Sequence, residues 1–284
     1  MTNRILALVD GSDYSESVCH HAAWIADRLE AEVDVMHVLG RREGAASRDL
    51  SGTIGLGART ALLDDLARLD EQRARLAQVR GRAILEDAER ILQAGHDRAV
   101  AVHLRRGDLL QAVALLEADL RAIVIGKRGE GADFAKGHLG SNVERIVRAS
   151  TVPVLVASRA FRPVAKVLVA YDGSPSARRA IERMAQSPVF AGLGVTVLRV
   201  GRSGETSASE LEGAAASLRA AGLDAVPRAE TGEPEEVLRN LIKDDGFDLL
   251  VMGAYGHSRI RSLIIGSTTT ALVRAAQIPV LLYR

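Results

Sequence analysis

Near the carboxyl end of the chain, Gly253-Ala254-Tyr255-Gly256 is followed, after nine residues, by Gly266-Ser267-Thr268. The apolar run Leu249-Leu250-Val251-Met252 precedes this stretch and reads as a buried parallel strand. Thr269-Thr270-Ala271-Leu272-Val273-Arg274-Ala275 follows it and reads as a helix, with Ser267 expected as its N-cap. A helix start offers unpaired N–H groups and the positive end of a dipole, and both attract anions. Glycines let a phosphate approach the backbone without a Cβ in the way, and the Ser267 and Thr268 hydroxyls add donors. The chemistry on offer is therefore a phosphate cradle. The same glycines would also serve the turns of an ordinary loop, and spacing alone leaves both readings open. No Lys follows the last glycine of a Walker pattern, and G-x-G-x-x-G is absent from the stretch.

The elements that position this stretch occur twice. Arg4-Ile5-Leu6-Ala7-Leu8-Val9 is an apolar run that ends at Asp10-Gly11-Ser12, and Val167-Leu168-Val169-Ala170 runs into Tyr171-Asp172-Gly173-Ser174. Helical spacing follows each (13–30 and 177–185), then a strand (33–39 and 194–200). Arg106-Gly107-Asp108 answers Thr231-Gly232-Glu233 before another helix. Gly140-Ser141 and Pro153-Val154-Leu155 answer Gly266-Ser267 and Pro279-Val280-Leu281 at a constant offset of 126 residues. The offset is 127 at Gly126 and Gly253, so one extra residue sits in the first loop. This is a tandem duplication. Each half alternates strand and helix, which implies a five-stranded parallel sheet with helices on both faces. Ligands of such sheets sit beyond the carboxyl ends of the strands, where the strand order reverses. Asp10 and Asp172 close the first strands, and Gly126 and Gly253 the fourth, so all four belong to that rim.

G-x-x-G-(nine residues)-G-[ST], in its strand–loop–helix setting, resembles the signature of the universal stress protein family. The duplication makes the chain similar to the tandem type of that family, over nearly everything outside residues 41–95. The resemblance implies an α/β fold of two tandem, five-stranded, parallel-sheet domains (adenine nucleotide alpha hydrolase-like, Rossmann-like), packed as an intramolecular pseudo-dimer, and, since family members usually dimerise, it leaves a homodimer open as well. The domains would span 1–160, with a helical insertion at 41–95, and 164–284. One branch of the family binds ATP, and the glycine signature marks that branch. Carried over position by position, Asp172 would lie near the adenosine and Val200 would offer backbone contacts to adenine. Gly253, Gly256 and His257 would line the phosphate approach, and Gly266, Ser267 and Thr268 would hold phosphates. The matching first-half positions are Asp10, Val38, Gly126, Gly129, Gly140, Ser141 and Asn142. There the pattern is broken, because ten residues separate Gly129 from Gly140. That loop holds Glu130 and Asp133, which oppose phosphate, and Lys127, Arg128 and Lys136, which attract it. The second half is therefore the favoured site.

Composition bounds the alternatives. The 284 residues are 47% hydrophobic, ample for two cores. The formal net charge of +1 gives no overall case for nucleic acid or an anionic membrane, and aromatics, at 3%, build no stacking platform. No apolar run reaches the roughly 18–20 residues of a membrane span. Cys19 is the single cysteine, and the amino-terminal residues carry no signal-peptide pattern, so a cytoplasmic protein is expected. The seven histidines show no ligand spacing, and no G-x-S-x-G elbow is present. Asp10 and Asp172 have two readings: holding a magnesium ion on a triphosphate, or capping the turn through Asx bonds.

Residues 41–60 read as a Gly, Ser and Arg-rich loop, and 62–91 as a long charged helix with Asp65/Arg68 and Glu71/Arg75 on an exposed face. That helix is a solvated surface element, a gate or a partner-docking arm. Three functions remain: a nucleotide-binding regulator with at most slow hydrolysis, a true ATPase, and a nucleotide-free scaffold. No base and no obligatory Lys stands in the second-half loop, though Arg259 and Arg261 are candidates for a clamp. Fast phosphoryl transfer needs in-line water and a cationic clamp, so binding is preferred over turnover.

Overall fold

A computed structural model describes residues 3–40, 56–129, 140–201, 204–254 and 267–284, without the side chains of 56–62 and 267–268. The first half runs β1 (Arg4–Leu8), α1 (Ser15–Leu29), β2 (Glu32–Leu39), α2 (Leu56–Gly95), β3 (Val100–Arg106), α3 (Leu109–Ala114), β4 (Leu120–Gly126), α4 (Ser141–Ala149) and β5 (Val154–Ala157). The second half repeats it: β6 (Lys166–Ala170), α5 (Pro175–Ala185), β7 (Gly194–Val200), α6 (Glu205–Ala220), β8 (Asp224–Glu230), α7 (Pro234–Asp244), β9 (Leu249–Gly253), α8 (Ser267–Ala275) and β10 (Val280–Tyr283). The alternation expected from the apolar runs is the one observed. One boundary is corrected: α2 begins at Leu56, inside the stretch read as loop, while 41–55 lie outside the described residues.

All ten strands join one sheet in the order β3-β2-β1-β4-β5-β10-β9-β6-β7-β8. Each half is parallel throughout. The halves meet through β5 and β10, which pair antiparallel with Val156 opposite Val280 and Val154 opposite Leu282. Those two strands are buried along their whole length. Because side chains alternate across a strand, the sheet carries two cores. Ile5, Ala7, Val33 and Val35 face α1 and α2, in a cluster that continues through Val167, Val169, Val195 and Val197. Leu6, Leu8, Ile123 and Ile125 face the other way, in a cluster that continues through Leu168, Leu250 and Met252. Both cores run from one half into the other, so the pseudo-dimer is a single packed body.

In each half the strand order 3-2-1-4-5 reverses between the first and fourth strands. β1 pairs with both β2 and β4, and β6 with both β7 and β9. The crevice predicted at the switch point therefore opens beyond Leu8 and Gly126 in one half, and beyond Ala170 and Gly253 in the other. No helix among the described residues is long and apolar enough to cross a membrane.

Candidate functional site

Asp10 and Asp172 each lie two residues past their strand and make the same turn. Oδ1 of Asp10 accepts from the Ser12 N–H at 3.0 Å, and Oδ1 of Asp172 accepts from the Ser174 N–H at 2.9 Å. Gly11 and Gly173 between them have φ of +77° and +74°, the left-handed region where a side chain is strained. The Asx-cap role is thus formed in both halves. Among the described residues no group of three or more His, Cys, Asp or Glu could hold a metal ion.

The glycines ending the fourth strands are required by packing. A Cβ on Gly126 would lie 2.7 Å from Cβ of Tyr14, at the start of α1. A Cβ on Gly253 would lie 2.5 Å from Oγ of Ser176 and 2.9 Å from the Ala177 nitrogen, at the start of α5. The room on the Cβ side of these glycines is filled by the protein's own helix starts. Tyr14 and Ser176 stand at the same repeat offset as Asp10 and Asp172, the sequence signal that would have found them.

Gly129 lies against the Asp10 turn. A Cβ on Gly129 would come within 2.7 Å of Oδ2 of Asp10, so the loops after β1 and β4 converge there. Gly140 rests on the same loop, its N–H donating to the Lys127 carbonyl at 3.4 Å, and a Cβ on it would meet only ordinary contacts. Gly140 is the N-cap of α4 and supplies no side-chain acceptor, and Ser141 and Asn142 beyond it are exposed. Among the described residues no side chain caps the first turn of α4, which starts beside Lys127. Val38 and Val200, half-buried at the ends of β2 and β7, flank β1 and β6.

In the second half, Ser267 is the first helical residue of α8 and not its N-cap, as in α4, where Gly140 precedes Ser141. Gly256, His257, Gly266, Arg259 and Arg261 lie outside the described residues, as do the side chains of Ser267 and Thr268. Glu130, Asp133 and Lys136 lie outside them as well.

Charge at the rim differs from the expectation. Lys127 turns away from the crevice, and its Nζ donates to the Ala276 carbonyl at 2.6 Å in the other half. Burial, with Arg128 adjacent, pushes its pKa down to about 8. In the second half a network overlies the Asp172 turn. Arg199 on β7 and Arg178 on α5 donate to Glu210 of α6 at 2.8 and 3.2 Å. A Cβ on Gly173 would sit 3.1 Å from Oε2 of Glu210. Arg199, and then Arg178, hold the Glu210 carboxyl below the usual carboxylate range. In the first half α2 takes the equivalent place with an apolar contact, since a Cβ on Gly11 would meet Cδ1 of Ile84 at 2.8 Å. Periodicity in the sequence gives no hint that Arg199, Glu210 and Ile84 border the two turns.

Comparison with known proteins agrees with this architecture. The model of the universal stress protein family matches residues 1–158 and again 163–284. The universal stress protein Slr1230 of Synechocystis sp. is 39% identical over 284 residues, covering 99% of both chains. Universal stress protein Rv2005c of Mycobacterium tuberculosis is 28% identical over 232 residues, covering 72% of this chain and 77% of its own. A solved universal stress protein from Archaeoglobus fulgidus superimposes with a TM-score of 0.67 at 22% identity, covering 99% of this chain and 96% of its own. With two matches spanning nearly every residue and a full-length relative, the chain belongs to the universal stress protein family.

Proposed function

We propose that this chain is an ATP-binding regulatory protein of the cellular stress response. The nucleotide is held at the second-half crevice by Gly253, Gly256, His257, Gly266, Ser267 and Thr268, with Asp172 and Val200 on the adenosine side. Asp172, whose Asx bond uses one carboxylate oxygen, is the residue that would reach a magnesium ion on the phosphates. A bound ATP supplies the negative charge that a helix start attracts. The chain's own part is to present amide donors, fix the adenosine edge and exclude side chains from the phosphate path. The first-half crevice, built from Asp10, Val38, Gly129, Gly140, Ser141 and Asn142, is a second candidate.

One observation carries this reading. The helix that follows the Gly-Ser pair begins at the switch-point rim with no side-chain acceptor on its N-cap, seen at Gly140 and α4. The repeat puts Gly266 and α8 in the corresponding place. Mass spectrometry of the protein as purified, with equilibrium dialysis against ATP with and without magnesium, tests it. Bound or co-purified adenine nucleotide, lost in Gly266→Val, is the expected result. An empty protein that takes up no nucleotide favours the scaffold reading instead. Single-turnover hydrolysis separates a binder from an ATPase, and hydrolysis negligible against binding is expected.

A further inference from the structure

The helix α2 is 40 residues long, about 60 Å at 1.5 Å per residue. Its carboxyl-terminal part packs on the first-half sheet through Leu85, Ala88 and Leu92. Gly81 lies against Leu104, His37 and Leu39, and Gln78 accepts from Arg106, the last residue of β3. Strands β2 and β3 end at this level, so the turns before Gln78 continue past the rim of the sheet. Along 68–83 the residues fall on a heptad, with Leu69, Leu76 and Ala83 at a and Gln72 and Val79 at d. All five are exposed, Leu69, Leu76 and Val79 by 47%, 69% and 66%. At about 100° per residue they share one arc of roughly 80°, opposite the stripe of Gly81, Leu85 and Ala88.

The flanks of this seam carry one sign of charge. Arg68, Arg75 and Arg82 occupy successive g positions, Arg73 and Arg80 successive e positions, and all five are exposed. Asp65 and Glu86 stand at the d positions before and after, so the apolar seam is confined to 68–83, about 24 Å of helix. In paired helices the e and g charges choose the partner. A second copy of this helix brings Arg against Arg in either orientation, since g meets e in a parallel pair and g meets g in an antiparallel one. Like charges so placed select against the match, while a helix with acidic e and g residues answers every arginine. Arg75 pairs with Glu71 at 2.7 Å and Arg73 with Asp70 at 3.8 Å on their own helix. Exposed pairs of this kind are weak enough to be exchanged for intermolecular ones. The roughly 80° arc suits a two-helix seam and is narrower than the apolar face a helix sinks into a core or a lipid surface. We propose that residues 68–83 of α2 are the docking site for a helix of a different protein, apolar at a and d and acidic at e and g. This inference is independent of nucleotide binding.

Fluorescence anisotropy with the full chain and two labelled peptides tests it. Both peptides are about three heptads long with Leu at a and d, one carrying Glu and the other Lys at e and g. The expected result is that the Glu peptide binds, loosening as salt screens the charges, and that the Lys peptide does not. Leu69→Ser/Leu76→Ser weakens the Glu peptide roughly tenfold or more, with circular dichroism unchanged because both side chains are exposed. Arg73→Glu/Arg75→Glu/Arg80→Glu/Arg82→Glu inverts the preference and takes the Lys peptide instead. A wild-type chain that ignores the Glu peptide, or holds both peptides equally, overturns the proposal. So does an unchanged affinity in the serine variant. A sedimenting dimer that the serine variant loses makes a second copy the occupant and overturns it too. Binding to phosphatidylglycerol vesicles, lost in the serine variant and without binding to the Glu peptide, assigns the face to a membrane and does the same.

Discussion

The ammonium of Lys127, just past the fourth strand of the first half, donates to the main-chain carbonyl of Ala276 at the end of α8 in the second half, 2.6 Å away. The reciprocal place is filled by a different residue. Arg284 at the chain's end donates to the Arg148 carbonyl at 2.8 Å, and reaches that of Ser150 at 3.5 Å, at the end of α4. Ser150 and Ala276 are repeat equivalents. Each half thus places a cation on the negative end of the other half's last helix, where the dipole favours it. Those two helices start at the two candidate crevices, so their far ends are anchored across the β5–β10 seam.

The Lys127 contact predicts an unusual pH dependence. Burial holds its folded pKa at about 8, down from 10.5, so between those values the unfolded chain binds the extra proton. Stability then rises as pH goes from about 8 toward 10.5, because the unfavourable charged form is relieved in the fold. Below pH 8 both states are protonated and the slope vanishes. Chemical denaturation of wild type and Lys127→Met from pH 7.5 to 10 is the check. The wild type gains stability relative to the variant across that window.

Gly253 predicts a steric effect. In Gly253→Ala the new Cβ meets Ser176 and the Ala177 nitrogen at under 3.0 Å, and overpacking of this kind costs about 1–3 kcal/mol. Gly213 in α6 has open space around it, so Gly213→Ala gains roughly 0.5–1 kcal/mol. Urea midpoints that move in opposite directions are the expected result.

These cases mark what the amino-acid order made legible. The strand at Gly194–Val200 and the whole strand–helix alternation follow from apolar spacing, because burial on both faces of a parallel strand demands it. The Asp10 and Asp172 turns were legible too, since an Asx bond is a local affair. The destination of Lys127 was not, because it depends on a helix 149 residues away. The packing need at Gly253 was hidden for the same reason: a glycine required by a neighbouring helix start looks, in sequence, like one kept bare for a ligand. The start of α2 was missed because Gly57 and Thr60, near its beginning, are poor helix formers.

Asp34 predicts a structural cost remote from the rim. Its side chain, 1% exposed, accepts from Arg4 at 2.8 Å and from His103 at 2.9 Å. Arg4 opens β1 and Asp34 lies early in β2, toward the amino ends of the strands. Removing the acid leaves two cationic or polar partners facing buried space, so Asp34→Ala costs about 3 kcal/mol. Denaturation measures the loss, while nucleotide affinity measured on the folded variant stays unchanged.

Nucleotide binding, if seated at the second-half crevice, is itself a stabilising term. Ligand that binds the folded chain alone, at a hundredfold over its Kd, adds about 2.7 kcal/mol. In a domain of this size that is an upward shift in Tm of roughly 5–10 °C. Scanning calorimetry with ATP on the wild type and on Gly266→Val is the check. The shift disappears in Gly266→Val, where a side chain enters the path to the α8 N–H groups. A full shift retained in Gly266→Val would place the nucleotide elsewhere, with the first-half crevice at Gly129 and Gly140 next to be tested.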